Sequence, residues 1–241
     1  FFWVQADPGT THIGGAGDEC SLVGVRTGET CTLTTDIAEA VSIDAPNQQL
    51  DCAGHSITKP KPGTGIGILV SGFQNPISNV KIRNCLVGQP GHGFFQGVNV
   101  TGAPSVDVAD SVLDGNQIGV QLQAANHFRV AHNRFQGDGN LGLQIYEGSS
   151  DGEAVDNVIT LMGGIAPTGI ALKGGQPSPA PSPTARNKVR GNDIVGGDVG
   201  IAMLAQTRDS EITENDISGA NRAVWIGPDG WPNRVWWNNI H

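Results

Sequence analysis

The sequence predicts an all-β solenoid, a chain wound into short coils that stack on one another. Three observations carry this reading. A pattern of aliphatic, two residues, Asn, any residue, aliphatic recurs every 22 to 35 residues along most of the 241-residue chain. After each copy, Gly or Ala precedes a short alternation of aliphatic residues. The composition opposes helices, because 35 residues are Gly and 14 are Pro, and Gly costs a helix interior about 1 kcal/mol relative to Ala.

Residues 1–40 have no repeat register and are expected to cap the open end of the core, as solenoids require. The coils occupy residues 41–241. The pattern is plainest at Val130-Ala131-His132-Asn133-Arg134-Phe135, and it returns around Asn157, Asn192, Asn215 and Asn238. Weaker copies place His55, Cys85 and Ser111 at the Asn position. Stacked amides can hydrogen-bond from coil to coil, which suits such a column. The second element reads Gly97-Val98-Asn99-Val100, Gly119-Val120-Gln121-Leu122, Gly142-Leu143-Gln144-Ile145 and so on to Ala223-Val224-Trp225-Ile226. Alternation over so few residues means short strands with one buried face. A leucine-rich repeat lacks support because its L-x-x-L-x-L pattern is missing, and a propeller blade needs about 40 residues. Four residues before each ladder position stand Asp51, Lys81, Asp107, Arg129, Glu153, Lys188, Glu211 and Arg234. Their signs alternate, so neighbouring coils are expected to set opposite charges side by side on an outer face. Residues 174–184 hold four Pro in alternate positions and read as an extended loop inserted into one coil. A smaller insertion spans Lys59–Gly63.

With these repeats, and with Leu50-Asp51-Cys52-Ala53-Gly54-His55-Ser56-Ile57 as a first-coil segment, the chain resembles the right-handed parallel β-helix proteins built from PbH1-type repeats. The resemblance covers about residues 41–241. It implies a single-stranded right-handed parallel β-helix of about 8 coils. The family includes pectate-lyase-like and other polysaccharide lyases, polygalacturonase-like hydrolases, uronan epimerases and periplasmic NosD-like proteins. Fold alone does not choose among them.

The formal charge is −9, with 23 acidic and 14 basic residues. A nucleic-acid partner is not expected, since such binders carry a basic stripe. No stretch approaches the ~18 apolar residues of a membrane span. Four Cys within the first 85 residues, with no C-x-x-C pair, point to disulfides and a secreted or periplasmic setting. Three pairings are open, and proximity favours Cys20–Cys31. Asn99-Val100-Thr101 is a glycosylation sequon usable only in a eukaryotic-type secretory route.

Several enzyme signatures fail. Gly91-His92-Gly93 lacks the paired carboxylates that glycoside hydrolysis needs. Trp225-Ile226-Gly227 breaks the W-x-D-H element of pectate-lyase-like proteins, and Tyr146-Glu147-Gly148 is not the D-P-H of the epimerases. What remains is one strand face. Its outward positions include Asn99, Gln121, Gln144 and Trp225, and two residues on Thr101, Gln123, Tyr146 and Lys173. Amides and hydroxyls repeated at about 4.8 Å suit the repeated hydroxyls of a glycan chain. A lyase needs a base for the C5 proton and cationic help for the developing enolate; Tyr146, Lys173, His132 and His127 are the candidates. Asp110, His132 and Asp156 share one turn position and form a candidate metal trio, for which Ca²⁺ is the first ion to test. Four of the five Trp lie in the last 17 residues, as a sugar-stacking end at Trp225 or as a contact for an oligomer or a further domain. The expected function is therefore an exported carbohydrate-active protein that binds an acidic polysaccharide and cleaves it by β-elimination. A non-catalytic glycan-binding or structural scaffold, and a glycoside hydrolase, are the competing readings.

Overall fold

The structure is a computed structural model and describes residues 9–59, 63–73, 75–175, 182–228 and 232–241. Among the described residues the chain passes through three long sheets, one strand of each per coil, and a fourth sheet pairs only Thr184–Ala185 with Thr207–Arg208. The first sheet has nine strands, Thr10–Ile13, Ala40–Ile43, Ile66–Ser71, Gln96–Thr101, Ile118–Gln123, Leu141–Tyr146, Thr168–Lys173, Val199–Met203 and Arg222–Ile226. The second sheet has ten, running from Gly24–Thr27 and Thr30–Leu33 to Arg234–Trp236, and the third has eight, running from Ser56–Ile57 to Asn239–Ile240. Within these sheets each inner strand of the coils pairs with the strands one coil before and one coil after. The pairing is parallel throughout except in the Gly24–Thr27/Thr30–Leu33 hairpin. The eight strands of the third sheet mark eight complete coils.

Apolar side chains stack in register along the axis. Val98, Val120, Leu143, Ile170 and Ile201 are successive partners in the first sheet, and all are fully buried. Leu113, Phe135, Ile159, Ile194 and Ile217 do the same in the third. The glycine before each first-sheet aliphatic has a steric cause. A Cβ on Gly119 would stand 2.5 Å from the Phe135 ring, and one on Gly169 would stand 2.8 Å from Ile194 Cγ2. Glycine lets the strand lie directly against the third-sheet side chains.

The amide column forms as the repeat predicts. The backbone N–H of Asn133 donates to Asn157 Oδ1, that of Asn157 to Asn192, that of Asn192 to Asn215 and that of Asn215 to Asn238, at 3.0–3.1 Å. Each Nδ2 also reaches a carbonyl of the coil before, as from Asn157 to Val130 O at 2.9 Å. Ser111 continues the column to the Cys85 N–H. His55 does not enter it. Its ring faces Asp36 instead, and Cys52 lies against Cys85 through a disulfide.

The charged column also forms, with one correction. From Lys81 onward the residues are Cα partners as expected. Arg129–Asp107, Lys188–Glu153 and Arg234–Glu211 approach to 3.4–3.6 Å. Asp51 pairs with Arg83 rather than Lys81. The turn from Asp51 to Ser56 holds two residues more than the turn from Arg83 to Leu86, so the spacing used to align this coil is displaced there.

At the N-terminal end, Thr10–Ile13 extends the first sheet beside Ala40–Ile43. The helix Cys20–Val23 packs there, and Cys20, Cys31 and Leu33 belong to the same core as the coils. Cys20–Cys31 and Cys52–Cys85 are both disulfides. No helix among the described residues is long and apolar enough to cross a membrane. Within the two insertions, residues 60–62 and 176–181 lie outside the described residues, as does Trp231. The described base of the longer loop is closed by a hydrogen bond from Gly175 N to Ser182 O at 2.9 Å.

Candidate functional site

The outward face of the first sheet carries three rows of side chains along the axis. The middle row runs His12, Ser42, Leu69, Asn99, Gln121, Gln144, Ala171, Ala202, Trp225. Beside it run Ser71, Thr101, Gln123, Tyr146 and Lys173. The structure thus gathers Asn99, Gln121, Gln123, Gln144, Thr101, Tyr146 and Lys173 on one face, with Tyr146 and Lys173 as Cα partners in neighbouring coils. Trp225 stands three coils beyond Gln144, 42% exposed, with the Arg222 guanidinium 5.5 Å from its ring. Between them lies a small apolar patch of Ala171, Val199 and Ala202, flanked by Leu141 and Leu204.

The third row holds Gln96, Ile118, Leu141, Thr168, Val199 and Arg222. Strict alternation conceals it, because Gly97 and Val98 both turn toward the interior. A Cβ on Gly97 would stand 3.0 Å from the buried Asn116 Nδ2. Gln96 is therefore a face residue, and it joins the amides. Asn99 Nδ2 donates to Gln96 Oε1 at 2.8 Å, Gln96 Nε2 to Gln121 Oε1 at 2.7 Å, and Gln121 Nε2 to Tyr146 Oη at 3.3 Å. A second relay runs from Thr101 Oγ1 to Gln123 Oε1 at 3.1 Å and from Gln123 Nε2 to the Glu147 carboxylate. Glu147, unremarked as a site residue in the sequence, directly follows Tyr146 in a left-handed turn conformation (φ 48°). The base of the Pro-rich loop stands beside it, since a Cβ on Gly175 would meet Glu147 Cγ at 3.4 Å.

Burial, with the Glu147 carboxylate adding to it, pushes the Tyr146 phenol up to about 12. Tyr146 is thus a proton donor at neutral pH and not a resident phenolate. Asn99 is 2% exposed, and its amide is committed to Gln96, so the sequon offers no accessible glycan acceptor.

His132 does not reach this face. It stands with Asp110 and Asp156 at the turn between the second and third sheets. There Asn84, Asp110, His132, Asp156, Glu214 and Trp237 all take φ of 51–58°. The column is a backbone feature, a left-handed turn residue that Asn, Asp and Gly tolerate best. Arg129 Nη2 lies 3.2 Å from His132 Nε2, and among the described residues no three His, Cys, Asp or Glu side chains converge as a metal site. The three side chains are therefore not brought together as a metal site. His127 occupies the corresponding turn between the first and second sheets, at φ 55°.

The sequence profile of the family described as "Right handed beta helix region" matches residues 47–217. A search of curated proteins finds no match. Among solved structures, the Dettilon tailspike protein superposes with a TM-score of 0.56 at 14% identity, over 87% of this chain. The present chain spans half the length of that tailspike chain. An alginate lyase from Paenibacillus sp. str. FPU-7 gives 0.48 at 11% identity, over 95% of this chain and 99% of that one. Endopolygalacturonase I from Stereum purpureum gives 0.40 at 14% identity, over 89% and 90%. At these identities the likeness is one of fold.

Proposed function

This chain belongs to the right-handed β-helix family, and from that premise we propose that it binds an acidic polysaccharide along the outward face of the first sheet and cleaves it by β-elimination. One observation carries this reading. The nine strands of the first sheet contain no Asp or Glu, although the chain as a whole is at −9. Their only Lys and Arg are Lys173 and Arg222, and the other polar side chains of the face are amides, hydroxyls and the His12 imidazole. Charge and hydrogen-bonding capacity together suit a polyanion rich in hydroxyls. The coil spacing of about 4.8 Å gives successive sugars equivalent places.

β-Elimination breaks the C5–H and C4–O bonds of a uronate and forms C4=C5. The departing oxygen must be protonated, and charge builds on the sugar carboxylate as C5 loses its proton. The C5 proton passes to the Glu147 carboxylate at the edge of the same face, and Tyr146, which keeps its own proton, gives it to the departing O4. Lys173, one coil on in the same row, offers its charge to the carboxylate. The two disulfides persist best in an oxidising compartment and support export.

A screen of uronic-acid polysaccharides, with and without added Ca²⁺, tests this through the ultraviolet absorbance of unsaturated products and through binding. Product from one of these polymers is expected, and Lys173→Ala should lower turnover with an unchanged melting temperature. Binding without product would leave a glycan-binding protein. Neither binding nor product on any uronan would overturn the proposal.

A further inference from the structure

The amide relay has a direction, and the direction assigns a role to Tyr146. Each side chain donates to the next, from Asn99 through Gln96 and Gln121 to the phenol oxygen. Tyr146 Oη is thus used as an acceptor by the protein, and its own proton points elsewhere. Reversing every amide would let Tyr146 donate to Gln121. That arrangement would leave both Nδ2 protons of Asn99 unpartnered where Asn99 is 2% exposed. The observed one leaves only Asn99 Oδ1 without a partner. Buried orphan N–H groups are rarer in proteins than under-used oxygens, so the observed polarity is the favoured one.

We propose that this relay holds the Tyr146 hydroxyl as a hydrogen-bond donor toward an acceptor oxygen of a bound uronan chain, with Gln121 as the positioning residue. The inference rests on the polysaccharide reading above. It adds the direction of the Tyr146 donor and the residue that fixes it. Burial, together with the Glu147 carboxylate, keeps the phenol protonated, consistent with a donor.

The polarity is testable because a carboxylate accepts and cannot donate. In Gln121→Glu the new side chain would accept the Tyr146 proton and draw it inward. Binding of polygalacturonate and of alginate is measured by calorimetry for the wild type, Tyr146→Phe, Gln121→Glu and the double variant. Each single variant should bind on the order of tenfold more weakly, the scale of one lost hydrogen bond. The double variant should bind no more weakly than Tyr146→Phe, because only one donor is available to lose. Simple repulsion between the introduced carboxylate and the polyanion would act equally without the phenol. Hence a full further loss on the Tyr146→Phe background overturns the proposal, as does wild-type affinity in Gln121→Glu. A wild type that binds neither polymer overturns the polysaccharide reading itself, a result distinct from either.

Discussion

Asp138 is a buried carboxyl in a place built for an amide. At the turn from the third sheet to the first, Phe94 N–H donates to Asn116 Oδ1 at 2.9 Å, and one coil later Asn116 N–H donates to Asp138 Oδ1 at 3.0 Å. Asn116 Nδ2 lies by Gly97 and reaches Val87 O at 3.0 Å; Asp138 Oδ2 lies by Gly119 at the equivalent point and has no partner. A proton on Oδ2 gives it the donor character that Asn116 has. Burial, with the nearby Asp114 carboxylate adding to it, holds the Asp138 carboxyl well above its ordinary value, against the pull of the Asn116 hydrogen bonds. The folded state thus keeps a proton that the unfolded chain releases. Its contribution to stability is complete below the unfolded value near 3.8 and is lost as pH rises toward the folded one. Asp138→Asn should therefore leave stability near pH 4 almost unchanged. It should add roughly 1–3 kcal/mol at pH 8, the scale of satisfying one buried polar atom. Thermal melts across pH 4–9 check this, and an equal shift at every pH would refute the neutral-acid assignment.

The amide column is the element that ties coil to coil. Asn157 Oδ1 accepts from both nitrogens of Asn133, and its Nδ2 donates to Val130 O and Asn192 Oδ1. Asn157→Ala would strip the buried Asn133 N–H and the Val130 carbonyl of the preceding coil of their amide partner, at a cost of about 3 kcal/mol. Asn238→Ala, in the half-exposed last coil, should cost about 1 kcal/mol. Urea denaturation measures both, and equal costs would mean that the column does not act through its buried neighbours. This column was legible in the sequence because a fixed spacing repeats with a distinctive residue. The charge column was legible from Lys81 onward for the same reason, and Asp51 escaped because two extra turn residues displace it. The face row from Asn99 to Trp225 followed from alternation. Gln96 did not, because the strand places two successive residues inward at Gly97 and Val98. The Asp110–His132–Asp156 trio shows the converse, since a shared turn position put three ligand-type residues in a column whose cause is backbone conformation.

Along the whole solenoid, two kinds of staple divide the molecule. From Ser111 to Asn238 the coils are held by stacked polar side chains. Before that, the column position is occupied by Cys85, and the link to the preceding coil is covalent, Cys52–Cys85. Cys20–Cys31 fastens the N-terminal helix to the same end. The disulfides thus stand where the amide column has no members. They close loops of 11 and 33 residues, for which chain entropy gives about 3–4 kcal/mol each. In a solenoid each coil contacts only its neighbours, so stability is a sum of local terms. Reduction should loosen the N-terminal coils first and leave the amide-laddered coils folded. Hydrogen exchange read by mass spectrometry, with and without reductant, would then show faster exchange in Val41–Ile43 and Ile68–Val70. Exchange in Val130, Val189 and Ile212 should be unchanged. Uniform acceleration along the chain would instead mean that the solenoid unfolds as one cooperative unit, and that the two staples do not partition it.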